Sequence, residues 1–391
     1  MLRHFPLDEY ESRWSRLEQI MTGDGFDAAV VIGRGGGTMD NCGDILYLSN
    51  HYSVSGGMDS RIWSARAFSG IILEKGKAPE LHIDEPEPRR DLVSIDSVYC
   101  DNHPFLSLAR RLNARGITGR VAFCGSWFTP VKYWRQLRDA TPDIDWVDVD
   151  DLVRRARAIK SPRELDTYRI AGEAATEATD VLMTSLISGM TEREAAAEAA
   201  RIVVARGGRI QAIGTNHGDT MDYDYRFPLT GAAVDAPAPG DLVRGTVHAA
   251  FQQGYYLDPG RTAVCGTATP RQQRLMEATA DIVQKLTAIM RPGVFLTDVA
   301  AEGDRLTAAF GGSESAIMKN FPFYGHGIGL SFELPRISTT MSEPDDIVRE
   351  NMVFGVEAFL ADAGVGSAFV EDIVIIGKDE NERLTRSPYQ Y

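Results

Sequence analysis

Two strongly apolar stretches near the end of the chain, MVFGVEAFL at 352–360 and SAFVEDIVIIG at 367–377, are each interrupted by a glutamate. Their composition predicts β-strands. Glu357 and Glu371 each share a strand face with apolar or glycine residues two positions away, which favours inward side chains over a solvent-facing alternation. A buried carboxylate costs roughly several kcal/mol unless it is paired or metal-bound. The chain must therefore form a sheet whose inner face accommodates acids.

Two further motifs add candidate side chains to these acids. GYYLDPGRT at 254–262 is either a surface turn, since Pro-Gly is strong turn chemistry, or a strand that delivers the Asp258 carboxylate to a pocket. In FYGHGIGL, glycines flank His326 and leave its imidazole unshielded, which is more typical of a ligand or base than of core filling. One aspartate, one histidine and two glutamates would form a hard, oxygen-rich site suited to Mn, Fe(II), Co or Zn.

The length of the chain predicts two domains, because 391 residues exceed what one hydrophobic core usually organises. Strand-like and helical segments alternate up to about residue 155, which indicates an α/β domain. DILYLSN at 44–50 is predicted to be one of its strands. Helix pairs interleaved with antiparallel-looking strands follow and indicate an α+β domain. The predicted domains are residues 1–155 and 156–391.

Several helix ends in the second domain are marked by capping signals. Ser161 and Pro162 give a helix start signal close to the predicted domain boundary. The other predicted N-caps are Thr191 with Glu194, Thr269 with Pro270 and Gln272, and Thr297, whose helix is predicted to end at Gly311.

Composition excludes some classes of partner. The 41 basic and 55 acidic residues give a formal charge of −14, which disfavours nucleic acid and anionic membranes as partners because both need clustered Lys and Arg. The four cysteines have no C-x-x-C spacing, and we expect buried thiols in a reducing compartment. No apolar stretch is long enough to span a bilayer, and no signal peptide is recognised. A cytoplasmic protein is predicted.

The motifs together resemble a known family. GYYLDPGRT, HGIGL, MVFGVEAF and FVEDIVII occur in the order and at the approximate spacings of the creatinase, prolidase, aminopeptidase P and methionine aminopeptidase family, which has the pita-bread fold. ARAIKSPRELDTYRIAGEAA resembles its domain junction. The resemblance covers most of residues 150–380. It implies an α+β fold, with a smaller α/β creatinase-like N-terminal domain at 1–155 and a pita-bread catalytic domain at 156–391.

The resemblance implies a metal site with four ligands, namely Asp258, His326, Glu357 and Glu371. A second metal in this family needs a further aspartate eleven residues before Asp258, where this chain has Val247. His248 is adjacent, but a shift of one residue should place it on the opposite strand face unless a bulge intervenes. We therefore expect one divalent ion (Mn, Fe, Co or Zn) or, as in creatinase, none.

Two departures concern the groups that move protons in the family's peptidases. Near the expected position of one histidine, IGTNHGDTMDYDYRFP offers His217, followed by Asp222, Asp224 and Arg226. Where a second histidine follows the HG motif, this chain has Phe332 and Glu333. The candidate catalytic residues are thus His326, Glu357, His217 and Asp222, and assignment as a proline peptidase is weakened.

The resemblance implies hydrolysis of a C–N bond, amide, amidino or cyclic amidine, in a small polar substrate. A metal ion would acidify a coordinated water and polarise the scissile group, with one glutamate taking the proton. Arg336 would clamp a substrate carboxylate, and Arg261 would orient the acids. Without metal, His326 would be the base. The alternatives are a lyase of the dimethylsulfoniopropionate lyase type, an Xaa-Pro dipeptidase, and a non-catalytic binding protein.

The resemblance also implies a homodimer in which the N-terminal domain of one chain reaches the active site of the other. HYSVSGGMDSRIWSAR at 51–66 is the candidate segment, although a surface loop explains it equally simply. The candidate substrate contacts outside the metal site, beside Arg336, are His51, Arg61, Trp63 and Arg226.

Overall fold

The computed structural model describes residues 5–35, 41–53, 59–60, 62–221 and 234–391. The chain divides into two compact units, Met1–Arg157 and Ala158–Tyr391. The boundary predicted after residue 155 lies two residues before this division. Three of the candidate substrate-binding and catalytic residues, Arg61, Asp222 and Arg226, lie outside the described residues.

The first unit contains a six-stranded sheet with helices packed against it. Its strands are β1 (Ala28–Arg34), β2 (Phe68–Glu74), β3 (Glu80–Ile83), β4 (Ser97–Cys100), β5 (Gly119–Cys124) and β6 (Ile144–Asp148). Its helices are α1 (Leu7–Gly23), α2 (Gly43–Ser49), α3 (Pro104–Ala114), α4 (Val131–Asp139) and α5 (Leu152–Arg157), with a 3₁₀ turn at Ser126–Phe128. The strand order is β4-β3-β2-β1-β5-β6, and the mixed parallel and antiparallel pairing confirms the α/β interpretation.

The segment DILYLSN was predicted as a strand, and the structure shows that this is wrong, because it forms α2. Short apolar runs fit both the strand and the helix period. Ile45, Leu48 and Ser49 are buried with the i, i+3, i+4 spacing of one helix face. The helix packs on β1 so closely that a Cβ at Gly33 would lie 2.4 Å from Ile45 Cγ1.

The second unit contains a nine-stranded antiparallel sheet and the longer helices. Its strands are β7 (Arg209–His217), β8 (Leu242–Ala250), β9 (Tyr256–Leu257), β10 (Gly260–Val264), β11 (Gly325–Ile328), β12 (Phe332–Arg336), β13 (Val353–Asp362), β14 (Gly366–Ile375) and β15 (Glu382–Arg383). Its helices are α6 (Pro162–Ile187), α7 (Glu192–Ala205), α8 (Pro270–Ile289), α9 (Leu296–Phe310) and α10 (Ala316–Asn320), with 3₁₀ turns at Gly218–Thr220 and Gln252–Gly254. The strand order is β12-β11-β13-β14-β10-β8-β7, with β9 beside β8 and β15 beside β14.

Helices pack against the sheet of the second unit. Helix α8 packs against β13 and β14, and α6 packs against β8. The helix starts predicted at Ser161, Thr191 and Thr269 are confirmed, and each of these residues forms a capping box with a partner three residues later. Thr297 is not a cap, because α9 already begins at Leu296 after Phe295, but its predicted end at Gly311 is confirmed by a left-handed φ of 70°.

The cysteines follow the sequence expectation except at one position. Cys42, Cys124 and Cys265 are buried free thiols, whereas Cys100 is exposed at the end of the edge strand β4, so the expectation of burial is wrong there. Within the described part of the chain, no helix has both the length and the apolar character required to cross a bilayer.

Candidate metal centre

The strand register of the second sheet brings the predicted acids into one row. Gly260 on β10 pairs with Thr246 on one side and with Glu371 on the other, and Glu371 pairs with Glu357. Directly paired residues of neighbouring strands place their side chains on the same sheet face. His326 on β11 pairs with Gly355, two residues before Glu357, and therefore points to that face as well.

The four predicted ligands converge within this buried region. His326 Nε2 lies 3.4 Å from Asp258 Oδ2, 3.4 Å from Glu371 Oε1 and 3.8 Å from Glu357 Oε1. One ligand atom from each of Asp258, His326 and Glu371 lies within 4.8 Å of the other two. All four side chains are buried, so the inward direction predicted for the two glutamates is confirmed.

The tautomer of His326 suits a ligand. Its Nδ1 lies 3.0 Å from the carbonyl oxygen of Gly327, to which it donates. Nε2 is therefore the nitrogen that faces the acids. A hydrogen bond from one ring nitrogen to a backbone carbonyl is the usual support for a metal-binding histidine.

The acids differ in their electrostatic state. Burial raises the pKa of Glu357 well above its ordinary value, and the charge of Glu371 raises it further. Burial and the charge of Asp258 likewise raise the pKa of Glu371. Burial also raises the pKa of Asp258, but the charge of His326 and its hydrogen bond outweigh it, so the net pKa is lowered. Burial is the largest single effect on His326 and lowers its pKa. The charge and hydrogen bond of Asp258, with smaller contributions from Glu357 and the Gly327 backbone, together outweigh it, so the net pKa is raised.

Glycine makes room for this cluster. A Cβ on Gly355 would lie 2.4 Å from Glu371 Oε1 and 3.4 Å from His326 Nε2, so any side chain there would fill the space between the two. Gly325, beside His326, has a φ of 141°, and a Cβ there would lie 2.1 Å from the Gly355 carbonyl oxygen. The flanking glycines therefore allow the close approach expected from the sequence.

The residues present fit a divalent cation. Asp258 Oδ1, Glu357 Oε1 and Glu371 Oε1 are buried and have no hydrogen-bond partner among the described residues. Buried polar atoms are normally paired, and three unpaired carboxylate oxygens beside one imidazole nitrogen are the donor set of a hard or borderline divalent ion.

Arg261 holds two of the ligand strands together, as the sequence interpretation expected. This fully buried side chain donates to the carbonyl oxygens of Gly260 at 2.8 Å and Glu371 at 2.7 Å. It also donates to Asp372 Oδ1 at 2.5 Å. The guanidinium thus fixes the backbone of the acids without contacting their unpaired oxygens.

Comparison with known proteins agrees with this geometry. The model of metallopeptidase family M24 matches residues 166–378. The chain belongs to this family. An Xaa-Pro dipeptidase of Pyrococcus horikoshii is 28% identical over 261 residues, which is 66% of this chain and 71% of the relative. A creatinase of a Bacillus species is 24% identical over 408 residues, 98% of this chain and 92% of the relative.

The solved structures support the fold. The crystal structure of the prolidase from Pyrococcus horikoshii has a TM-score of 0.76 at 21% identity and covers 96% of this chain and 98% of that chain. The predicted pita-bread α+β fold with its smaller α/β domain is therefore confirmed. The M24 family comprises hydrolases of C–N bonds that typically depend on a metal ion, and the predicted class of enzyme is confirmed with it.

The strand face beside Asp258 differs from the sequence expectation. Thr246 pairs with Gly260, and Ala249 pairs with Leu257, so His248 lies opposite Asp258. Val247 is fully buried on the other face of the sheet. His248 was expected on the sheet face opposite the Asp258 side chain, and this is wrong. Because Thr246 pairs with Gly260, Thr246 and His248 lie on the same face as Asp258, and Val247 lies on the other face.

The candidate catalytic residue His217 does not lie near the acids. His217 pairs with Val243 on β8. The next residue, Arg244, points to the face that carries the acids, where its guanidinium carbon lies 5.7 Å from the ring centre of Phe359. His217 Nδ1 lies 2.6 Å from Glu192 Oε1 of α7, on the helix-covered face. Alternation along β7 therefore turns this imidazole away from the cluster.

Arg336 lies at the edge of the cluster. Its guanidinium carbon is 4.6 Å from the ring centre of Phe323 and 4.7 Å from that of Phe332, and Nη1 is buried without a partner among the described residues. Burial lowers the pKa of Arg336, while the charge of Glu357 raises it. Phe332 also packs on the imidazole of His326, with ring centres 3.6 Å apart.

The remaining candidates, His51 and Trp63, belong to the first unit. His51 is buried, and burial lowers its pKa to about 4. Trp63 is partly exposed, with the guanidinium carbon of Arg66 5.1 Å from the centre of its ring. A contact of either residue with substrate stays a prediction.

Proposed function

We propose that the chain hydrolyses a C–N bond in a small polar substrate that carries a carboxylate, with one divalent ion held by Asp258, His326, Glu357 and Glu371. The observation that supports this most strongly is that Asp258, Glu357 and Glu371 each have a buried carboxylate oxygen without a hydrogen-bond partner among the described residues. All three carboxylates lie within 3.8 Å of His326 Nε2. Such an arrangement is costly in a protein unless it binds a cation.

Each residue of the centre has a separate task. The bound ion would act as a Lewis acid and make a water molecule more acidic. Glu357, whose pKa burial raises, can hold a proton at its carboxylate and return it to the leaving nitrogen. Arg336 can bind the substrate carboxylate, because its guanidinium lies against two aromatic rings and its buried Nη1 has no partner among the described residues.

Xaa-Pro dipeptide hydrolysis is the second candidate, because relatives with that name match this chain. Phe332 stands where the sequence comparison expected a proton-handling histidine, and it covers one face of His326. This contact favours a substrate other than an Xaa-Pro dipeptide.

We also propose that the enzyme is a cytoplasmic homodimer. Light scattering of the purified protein would test the oligomeric state, and fractionation of cells would test the localisation.

The test combines metal analysis with a substrate panel. Purified protein should contain about one divalent ion per chain, measured by plasma mass spectrometry. The panel pairs each dipeptide, guanidino acid and cyclic amidine carboxylate with its carboxamide, and product amine or ammonia is measured. Turnover without bound metal would refute the metal-dependent mechanism and favour His326 as the base. Preferential cleavage of Xaa-Pro dipeptides would favour the second candidate.

Arg336→Met provides a sharper test of the carboxylate. We expect KM to rise about 10- to 100-fold for the carboxylate substrate, because a charged hydrogen bond is worth about 1.5–3 kcal/mol. The KM for its carboxamide should change little. Arg349→Met, at a position outside β12, is the control. Equal effects of Arg336→Met on both substrates would exclude recognition of the carboxylate by this residue.

A further inference from the structure

Three polar side chains lie in a row on the sheet face beside Asp258: Thr246 and His248 on β8, and Tyr256 on β9. His248 Nε2 is 3.0 Å from Thr246 Oγ1, and His248 Nδ1 is 2.7 Å from the Tyr256 hydroxyl. Tyr256 in turn hydrogen-bonds the Asp258 carboxylate. These contacts form one continuous series, which we call the Thr246–His248–Tyr256 chain.

The direction of these hydrogen bonds follows from their end point. An ionised aspartate only accepts hydrogen bonds, so the Tyr256 hydroxyl must donate to it. The tyrosine oxygen then accepts from Nδ1–H of His248, and a neutral His248 would accept at Nε2 from the Thr246 hydroxyl. Each donor strengthens the next, because hydrogen bonds arranged head to tail polarise one another. A neutral His248 protonated on Nδ1 satisfies the whole series.

Strand pairing in the sheet holds Thr246, His248 and Tyr256 in position. His248 lies directly opposite Asp258 in the register, and the Val247 amide donates to the Pro259 carbonyl oxygen at 3.1 Å. Thr246 and Tyr256 are buried, whereas His248 is half-buried. The series therefore connects a ligand of the metal centre with a side chain that a substitution can change without opening the core.

We propose that His248 is a positioning residue of the metal centre, which acts through Tyr256 to orient the Asp258 carboxylate toward the bound ion. This inference rests on the metal centre of the proposed function. Hydrogen bonds to ligand carboxylates fix their orientation, and their loss typically costs about 10- to 100-fold in metal affinity.

Cobalt(II) binding tests the inference without an activity assay. Affinity is measured by titration calorimetry on metal-free protein, and the visible absorption of bound cobalt reports its coordination geometry. We expect His248→Ala and Tyr256→Phe each to weaken cobalt binding about 10-fold or more and to alter the absorption spectrum. The double variant should bind no more weakly than Tyr256→Phe alone, because His248 acts through the lost hydroxyl.

Two controls separate positioning from general destabilisation. His248→Asn retains a donor near the place of Nδ1 and should restore most of the affinity. Tyr255→Phe removes the neighbouring hydroxyl, which donates to Glu164 Oε1 at 2.7 Å, and should lower stability without changing the cobalt spectrum. Unfolding curves of all variants report how many molecules are folded.

The outcomes are distinct. Wild-type affinity and spectrum in His248→Ala, or losses that simply add in the double variant, would overturn the inference while leaving the metal centre intact. Failure of the wild-type protein to bind cobalt or any other divalent ion would overturn the proposed metal centre, and this inference with it.

Discussion

Buried glutamates in the two units of the chain differ in their hydrogen-bond partners and in the direction of their pKa shifts. Glu80 in the first unit is 3% exposed and receives two hydrogen bonds from Arg111, at 3.1 and 2.6 Å. Glu371 in the second unit is 2% exposed, and its Oε1 has no hydrogen-bond partner among the described residues. Burial raises the pKa of both. At Glu80 the hydrogen bond and charge of Arg111, the charge of Arg115 and that of His82 together outweigh burial and lower the pKa, whereas the pKa of Glu371 is raised.

The difference distinguishes a structural charge from a binding site. A buried carboxylate with an arginine is satisfied within the fold and tolerates no change of partner. A carboxylate buried among other carboxylates has raised free energy until a cation or proton arrives, and such perturbed groups concentrate at functional sites. The same substitution in the two places should therefore have opposite consequences for stability.

Replacement of each glutamate by glutamine tests this contrast and has the largest expected effect. Glu371→Gln should weaken metal binding more than about 100-fold, since it removes a ligand charge, yet should not lower the free energy of unfolding of the metal-free protein. Glu80→Gln should lower the free energy of unfolding of the first unit by about 2 kcal/mol, because Arg111 loses its charged partner. Metal affinity should stay unchanged in Glu80→Gln.

The chain offers a selective reporter for this experiment. All five tryptophans belong to the first unit. They are Trp14, Trp63, Trp127, Trp134 and Trp146. Denaturant unfolding followed by tryptophan fluorescence therefore reports the first unit, and calorimetry with a chelator reports the whole chain. Destabilisation of the metal-free protein by Glu371→Gln would contradict the interpretation of that acid as an unsatisfied charge.

Gly355→Ala should produce the next largest effect. The added Cβ would lie 2.4 Å from Glu371 Oε1, and the side chain of Glu371 can move aside more easily than the strand. We expect metal binding to weaken about 30-fold while the free energy of unfolding changes by less than about 1 kcal/mol. Gly23→Ala, where a Cβ meets nothing within 4 Å, is the control. Unchanged metal affinity in Gly355→Ala would mean that Glu371 is not a ligand.

The grouping of the four candidate ligands was predictable because most of them carry a clear local signal, although the Asp-Pro-Gly sequence at Asp258 also predicts a surface turn. Glu357 and Glu371 interrupt apolar strands, and glycines flank His326. These signals depend only on composition and on the period-two alternation of a strand. The structure gathers the four side chains as the strand order requires.

The side chains that support the ligands were not predictable, because they depend on register. Counting back eleven residues selects Val247, whereas pairing with Gly260 places Thr246 on the site face. The turn that sets this register contains Gln253 with a φ of 62° and Gly254 with a φ of 81°. A shift of one residue reverses every side chain of a strand, and one sequence does not reveal it. The spacings T-x-H and Y-x-D were the available signal, since both place their members on one face.

A histidine of the first unit extends the contrast to pH. Burial lowers the pKa of His82 to about 3, and its Nδ1 lies 2.8 Å from Ser107 Oγ. In the unfolded chain this histidine binds a proton near pH 6.5, whereas in the folded unit it does not. The contribution of His82 to the free energy of unfolding is therefore complete above pH 6.5 and is lost as the pH falls toward 3. At pH 5.5 the loss is about 1.4 kcal/mol relative to pH 8.

His82→Asn should remove this contribution while keeping a partner for Ser107. Tryptophan-detected unfolding at pH 8 and pH 5.5 should therefore show a smaller difference in the variant, although His51, with a pKa of about 4, retains a dependence of its own. Added metal ions should not alter the difference, since all four proposed ligands belong to the second unit. Equal pH dependence in the variant and the wild-type protein would show that His82 is not buried in its neutral form.

Thr269→Ala should have the smallest effect and separates stability from binding within the second unit. Thr269 caps α8, whose side chains pack behind the ligand strands β13 and β14, and its hydroxyl accepts a hydrogen bond from the Gln272 amide. Loss of an N-cap costs about 1 kcal/mol of unfolding free energy, and Thr269→Ser should recover most of it. Metal affinity should remain at the wild-type value, because the acids acquire their raised free energy from burial beside one another and not from the stability of the helix behind them. If metal affinity fell in proportion to the loss of stability, the geometry of the metal centre would depend on the stability of the fold around it. The distinction between structural and binding carboxylates would then hold only between the two units.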